Sequence, residues 1–158
     1  MAAPRGRLII VCGLPGTGKT TFASALARDG GVRFAPDDWM EALGIDLWDH
    51  ESRDRVEALQ WDIARQVLVS GGTAIIEWGT WGRAERGRLR EEARALGAGV
   101  ELVYLAAPPE VLFERVSARG RENPPITLED IREWAAAFEV PGDEEWALYD
   151  RPGKGSTP

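Results

Sequence analysis

Cysteine, histidine and lysine are nearly missing from this 158-residue chain, which has one cysteine, one histidine and two lysines against seventeen arginines. A lone Cys12 forms no internal disulfide, and its place at the end of an apolar run makes it a packed core thiol rather than a reactive one. His50 has no metal-ligand neighbours, so it reads as a surface or capping residue, and no metal cluster appears in the sequence. A basic surplus is also lacking: the net charge is -7 and the pI is near 4.8, which disfavours nucleic acid as a partner. The first apolar run, Leu8 to Cys12, is five residues long, too short for a signal or membrane segment. These absences predict a cytoplasmic protein with no membrane partner. No heptad or exposed apolar stripe singles out an interface, so a monomer or weak homodimer is expected.

A hydrophobic content of 44% in this length suits one domain with its own core. Residues 1–150 are read as that domain and residues 151–158, rich in Pro, Gly and Ser, as a disordered tail. Short runs of Val, Ile and Leu alternate with longer helical patterns, which predicts an α/β fold with a parallel sheet of four or five strands. Strands are expected over Arg7 to Cys12, Val32 to Phe34, Thr73 to Glu77 and Val100 to Leu105. Helices are expected over Glu51 to Val69 with Val56, Leu59, Ile63 and Val67 inward, over Ala84 to Leu96, and from Pro109 to Ala118. Thr127 and Asp130 form a capping-box pattern that opens a further helix, with Ile131, Trp134 and Phe138 inward.

Residues 13–20 read Gly-Leu-Pro-Gly-Thr-Gly-Lys-Thr, between a strand and a helix. Gly13 leaves the strand, and Gly16 and Gly18 let the loop that holds Leu14, Pro15 and Thr17 turn so that its backbone N–H groups point inward at a phosphate chain. The following helix, which carries Thr21, adds its positive N-terminus. Lys19 can reach the β- and γ-phosphates, and the Thr20 hydroxyl can ligate a bridging Mg²⁺. This is a P-loop, and it predicts a P-loop NTPase fold, a three-layer sandwich, that binds ATP and Mg²⁺. Guanine-specific switches read their base with Asn-Lys-x-Asp, whereas the only asparagine here, Asn123, precedes prolines.

Parallel topology brings other residues to the same sheet edge. Asp37 and Asp38 follow the second strand; Asp37 is the candidate general base, while Asp38, with Glu41 three residues on, fits a helix cap. Glu77, Thr80, Trp81 and Arg83 follow the third strand, with Arg86 a turn further on, and offer an acid, a hydroxyl and cations. Glu77 either orients the metal or is an ordinary solvated strand end. Arg115, Arg119 and Arg121 surround a Pro-broken junction between helices, which predicts an Arg-rich helical lid over about 115–128, with Arg119 neutralising charge on a transferred group. Of seven tryptophans, Trp39, Trp78 and Trp81 fall on this edge and Trp48 in a connecting loop, where they either wall an acceptor pocket or pack.

Over about residues 7–141 these features resemble the small P-loop kinases grouped with zeta toxins, chloramphenicol phosphotransferase and the kinase domain of polynucleotide kinase. The resemblance implies that Asp37, first of the acidic pair, is the base. It implies that Glu77-Trp78-Gly79-Thr80, with one inserted residue, helps hold substrate and metal. Ala118-Arg119-Gly120 is similar to the lid end of the polynucleotide enzymes, but their Arg three residues beyond the base is Met40 here. With the acidic charge, that difference favours a small-molecule hydroxyl acceptor such as an antibiotic, nucleoside or sugar nucleotide. The alternatives are a polynucleotide 5'-hydroxyl kinase and a nucleotide-binding regulatory protein that transfers no phosphate.

Overall fold

Strand β1 (Arg7–Cys12) is apolar on both faces, and a strand of that kind must lie inside a sheet. The computed structural model, which describes residues 5 to 152, shows it there. Leu8, Ile10 and Cys12 point into one core cluster, and Ile9 and Val11 into another, as the two-residue period requires. β1 pairs in parallel with β3 (Thr73–Gly79) on one side and β4 (Gly99–Tyr104) on the other. The outer strands are β2 (Val32–Phe34) and β5 (Arg151–Pro152), giving the order β2-β3-β1-β4-β5. Because β1 connects to β2 on one side and β3 then connects across β1 to β4 on the other, the strand order reverses between β1 and β3, where a crevice opens at their carboxyl ends.

Helix α1 (Lys19–Arg28) covers the Ile9 and Val11 face through Phe22, Ala23 and Leu26. The other face is covered by α3 (His50–Val69), α4 (Arg83–Ala95), α5 (Pro109–Arg119) and α6 (Leu128–Ala137). The molecule is therefore a three-layer α/β P-loop NTPase fold with a parallel sheet. α2 (Pro36–Ala42) follows β2, and α7 (Asp143–Trp146) precedes β5.

Several sequence expectations are corrected. Asp38 does not cap α2: Ala35 holds the N-cap position and Pro36, which needs no N–H partner, sets the first turn. The buried face of α3 is Val56, Gln60, Trp61, Ala64 and Leu68, while Leu59 and Ile63 face outward. Val56 and Val67 pack inward as expected, and Trp61 and Leu68 join the core cluster where Leu59 and Ile63 do not. β3 runs two residues beyond Glu77, to Gly79. The sheet also reaches into the expected tail, since Arg151 and Pro152 pair with β4; residues 153–158 lie outside the described residues. The capping box of α6 has both hydrogen bonds, Asp130 N to Thr127 Oγ1 at 3.0 Å and Thr127 N to Asp130 Oδ2 at 2.9 Å. Among the described residues no helix is long and apolar enough to cross a membrane.

Candidate active site

Between the last residue of β1 and the first of α1 the chain must turn within six residues, Gly13 to Gly18, and glycine makes this possible. A side chain at Gly13 would put its Cβ 2.5 Å from the Leu105 carbonyl oxygen, and Gly16 combines a φ of 87° with a Cβ position 3.0 Å from the Leu112 carbonyl oxygen. The loop is thus pressed between the end of β4 and α5. Leu14 and Thr17 support it from within, the Thr17 hydroxyl donating to Leu14 O at 2.8 Å. Arg115 fastens α5 to it by donating to Gly16 O at 2.9 Å.

Lys19 Nζ donates to Gly13 O at 2.8 Å and Leu14 O at 2.9 Å. Burial pushes its ammonium down to about 8 against the opposing pull of Glu77 and Asp37. Thr20 donates its hydroxyl to Glu77 Oε1, and Glu77 is 7% exposed. Glu77 is therefore not a solvated strand end. Its other oxygen accepts from Arg33 Nε at 2.8 Å, and Arg33 Nη2 donates to Asp38 Oδ2 at 2.7 Å. Asp38 Oδ1 accepts from Arg121 at 3.0 Å, and Arg121 also grips Glu41 at 2.8 Å. One polar chain therefore runs from the phosphate loop to the α5–α6 junction. Burial alone would raise the Asp38 carboxyl, but Arg33 and Arg121 hold it below the usual range.

Asp37, by contrast, has one oxygen committed: Oδ1 accepts from Arg53 Nη1, while Oδ2 has no hydrogen-bond donor among the described residues. It lines a cleft of about 1020 Å³ together with the loop glycines, Pro15, Lys19, Thr20 and Thr21. Glu77, Thr80 and Trp81 line it from β3 and the loop after it, and Arg115 and Arg119 from α5. Arg119, the last residue of α5, lies near enough to Lys19 for its charge to oppose the lysine's protonation.

Other expected residues are elsewhere. Trp39 packs against the core and does not line the cleft, because α2 turns it away from the sheet edge. Arg83 is exposed and outside the cleft. Arg86, read as an edge cation, is 0% exposed and bound to Glu145, with Nε to Oε2 at 2.7 Å and Nη2 to Oε1 at 2.8 Å. His50 is a surface residue, the first of its two expected places; it does not cap α3, where Asp49 accepts from Ser52 N at 3.0 Å, and it lines the mouth of the cleft. The tryptophans divide: Trp39 and Trp61 pack, whereas Trp48, Trp78, Trp81 and Trp134 line the cleft, Trp78 while donating to Gln60 Oε1 at 2.9 Å. Cys12 is buried, which pushes its thiol up to about 12.

The sequence reading missed Arg33, Arg53, Asp54, Glu57 and Glu85. His50, Arg53, Asp54 and Glu57 stand at i, i+3, i+4 and i+7 of α3, so one polar stripe faces the cleft. That spacing was readable, but it looks like any solvated helix face.

The donors fit magnesium and a nucleotide. Thr20 and Glu77 supply hard oxygens beside a phosphate loop. That suits Mg²⁺, which takes one or two protein oxygens and completes its shell with phosphate and water.

Comparison with known proteins agrees with this architecture. A gluconokinase from Gluconobacter oxydans is 29% identical over 147 residues, covering 88% of this chain and 79% of that protein. An L-seryl-tRNA(Sec) kinase from Methanococcus maripaludis is 24% identical over 151 residues, 90% of this chain but 57% of its own length. The chain therefore spans little more than half of that second relative. A solved structure from Chloroflexus aurantiacus superposes with a TM-score of 0.69 at 23% identity, covering 88% of this chain and 82% of its own, a likeness of fold. Residues 8–141 match the family described as AAA domain, and the chain belongs to that family.

Proposed function

We propose that the protein is an ATP-dependent kinase that transfers the γ-phosphoryl group to a hydroxyl of a small molecule. The observation that carries this reading is the Asp37 carboxylate, with one oxygen free of donors, in the same cleft as Lys19 and the Thr20–Glu77 pair. The attacking hydroxyl gives its proton to Asp37 Oδ2, the new O–P bond forms, and the β–γ bridging P–O bond breaks to release ADP. Lys19 and Arg119 balance charge on the transferred group, and the segment 115–128 acts as the lid. Thr20 and Glu77 would hold Mg²⁺, which neutralises phosphate charge when bound. Both curated relatives are named as kinases, which supports the reaction class.

A closer kinship with zeta toxins, chloramphenicol phosphotransferase and polynucleotide kinase is part of the proposal. It is supported by the place of Asp37 in α2 and of Arg119 at the end of α5. Labelled γ-phosphate transfer from Mg-ATP to a panel of alcohols tests the reading. Transfer that Asp37→Asn abolishes while ATP still binds is expected; ATP hydrolysis that no alcohol stimulates would overturn it.

A further inference from the structure

The two ends of the cleft differ in charge. At the phosphate end, Lys19, Arg115 and Arg119 supply cations. At the other end, Asp37, Asp54, Glu57 and Glu85 line the cleft with Arg53, which is bonded to Asp37 and 3.4 Å from Glu57; Arg121, whose charge also reaches Asp37, is bound to Asp38 and Glu41. Neither Asp54 nor Glu85 has an ion-pair partner among the described residues. Arg88 and Arg86, whose charges reach Glu85, are committed elsewhere, Arg88 to Glu92 at 3.3 Å and Arg86 to Glu145 at 2.7 Å. This end is therefore net negative.

The acids stand beside the aromatic wall because the same two chain corners supply both. Trp48 precedes α3, whose first two turns carry Asp54 and Glu57; Trp81 precedes α4, whose first turn carries Glu85. Trp134 from α6 joins them, with ring centroids 6.1 Å from Trp48 and 5.8 Å from Trp81. Indole faces attract cations, more strongly where water is displaced. Thr80, 2% exposed, lines the same cleft; its hydroxyl lies near the Cys12 sulfur and has no hydrogen-bond partner.

We propose that the acceptor is a cationic alcohol, its ammonium group seated between the Trp48–Trp134–Trp81 wall and the carboxylates of Asp54, Glu57 and Glu85. The claim rests on the kinase reading and names its substrate class. Burial, together with the charges of Glu85 and Asp54, already pushes Glu57 up to about 7 against the pull of Arg53, so a bound cation would relieve the crowding. An anionic acceptor such as gluconate would meet repulsion at this end.

The test compares glucosamine and choline with glucose and gluconate, using the full chain with Mg-ATP for transfer and tryptophan fluorescence for binding. Transfer to an amine acceptor with kcat/KM at least tenfold above the neutral and anionic ones is expected. Glu57→Gln and Glu85→Gln should each erode that preference at least fivefold through KM for the amine, whereas Glu92→Gln on the outer face of α4 should leave it intact. Preference for glucose or gluconate would overturn the proposal while leaving the kinase reading standing. Saturable, amine-selective quenching without transfer to any alcohol would uphold the cation site and sink the kinase reading. No amine-selective signal in either measurement would overturn the cation site.

Discussion

Thr20 at the first turn of α1 and Glu77 near the end of β3 are joined by a hydrogen bond from the threonine hydroxyl to Glu77 Oε1. The bond ties the phosphate loop to the strand beside it and places a buried carboxylate next to the expected magnesium ligand. Glu77→Gln preserves shape but removes the charge that holds Thr20 and Arg33 in place. The half-saturating Mg²⁺ concentration should rise and turnover should fall ~10–100-fold, the usual consequence of losing a partner that orients a metal ligand. Stability should drop by about 1–3 kcal/mol, because Arg33 loses a charged partner. A magnesium titration of turnover decides the matter, and an unchanged curve would remove Glu77 from the metal site.

Asp37 and Asp38 are neighbours with different surroundings, and their variants should separate. Asp37→Asn is expected to lower transfer ~10²–10⁴-fold, the range for losing a general base, with ATP affinity near the wild-type value. Asp38→Asn breaks the link between Arg33 and Arg121 and should act more weakly, chiefly through KM as the lid junction loosens. Calorimetric ATP titration beside single-turnover transfer distinguishes the two. The reverse order of effects would make Asp38 the base.

Arg86 should matter for folding and not for turnover. It is bound by both oxygens of Glu145 and donates to the carbonyls of Thr80, at 2.8 Å, and Glu139, at 2.6 Å, fixing the loop after β3 to the segment before α7. Glu145→Ala leaves a guanidinium buried without its counter-charge and should destabilise the protein by about 3–5 kcal/mol. Urea denaturation measures this, and a loss under 1 kcal/mol would contradict the burial described for the pair.

Such long-range partnerships mark the limit of what the sequence could tell. The strand–loop–helix from Arg7 to Arg28 was legible because every determinant is local: an apolar run, glycines at a tight turn, and a lysine and threonine at fixed spacing. The Thr127–Asp130 box was legible for the same reason, its two partners being three residues apart. Arg86 was misread because Glu145 lies 59 residues away, and nothing near Arg86 separates a buried cation from a solvated one. Trp39 and Trp81 both follow strands, yet the orientation of α2 sends one into packing and the other into the cleft. Arg53 and Glu57 escape notice because the apolar residues of α3 include Leu59 and Ile63, which give its inward face the wrong phase.

Glu57 supplies a prediction in which stability and binding move in opposite directions. Its carboxyl titrates at about 7 in the folded protein against an ordinary 4.5, because burial and the charges of Glu85 and Asp54 disfavour its ionised form more than Arg53 favours it. The folded state thus binds this proton more tightly than the unfolded state. The resulting stabilisation is complete below pH 4.5 and is lost as pH rises through 7. Glu57→Gln cannot titrate, so relative to wild type it should gain on the order of 1–3 kcal/mol between pH 4.5 and pH 8. Urea unfolding at both pH values checks the sign, and a difference independent of pH would show that Glu57 is not strained by its neighbours. If the same variant is more stable at pH 8 yet loses its preference for amine acceptors, packing cannot explain the carboxylate, and binding a cation can.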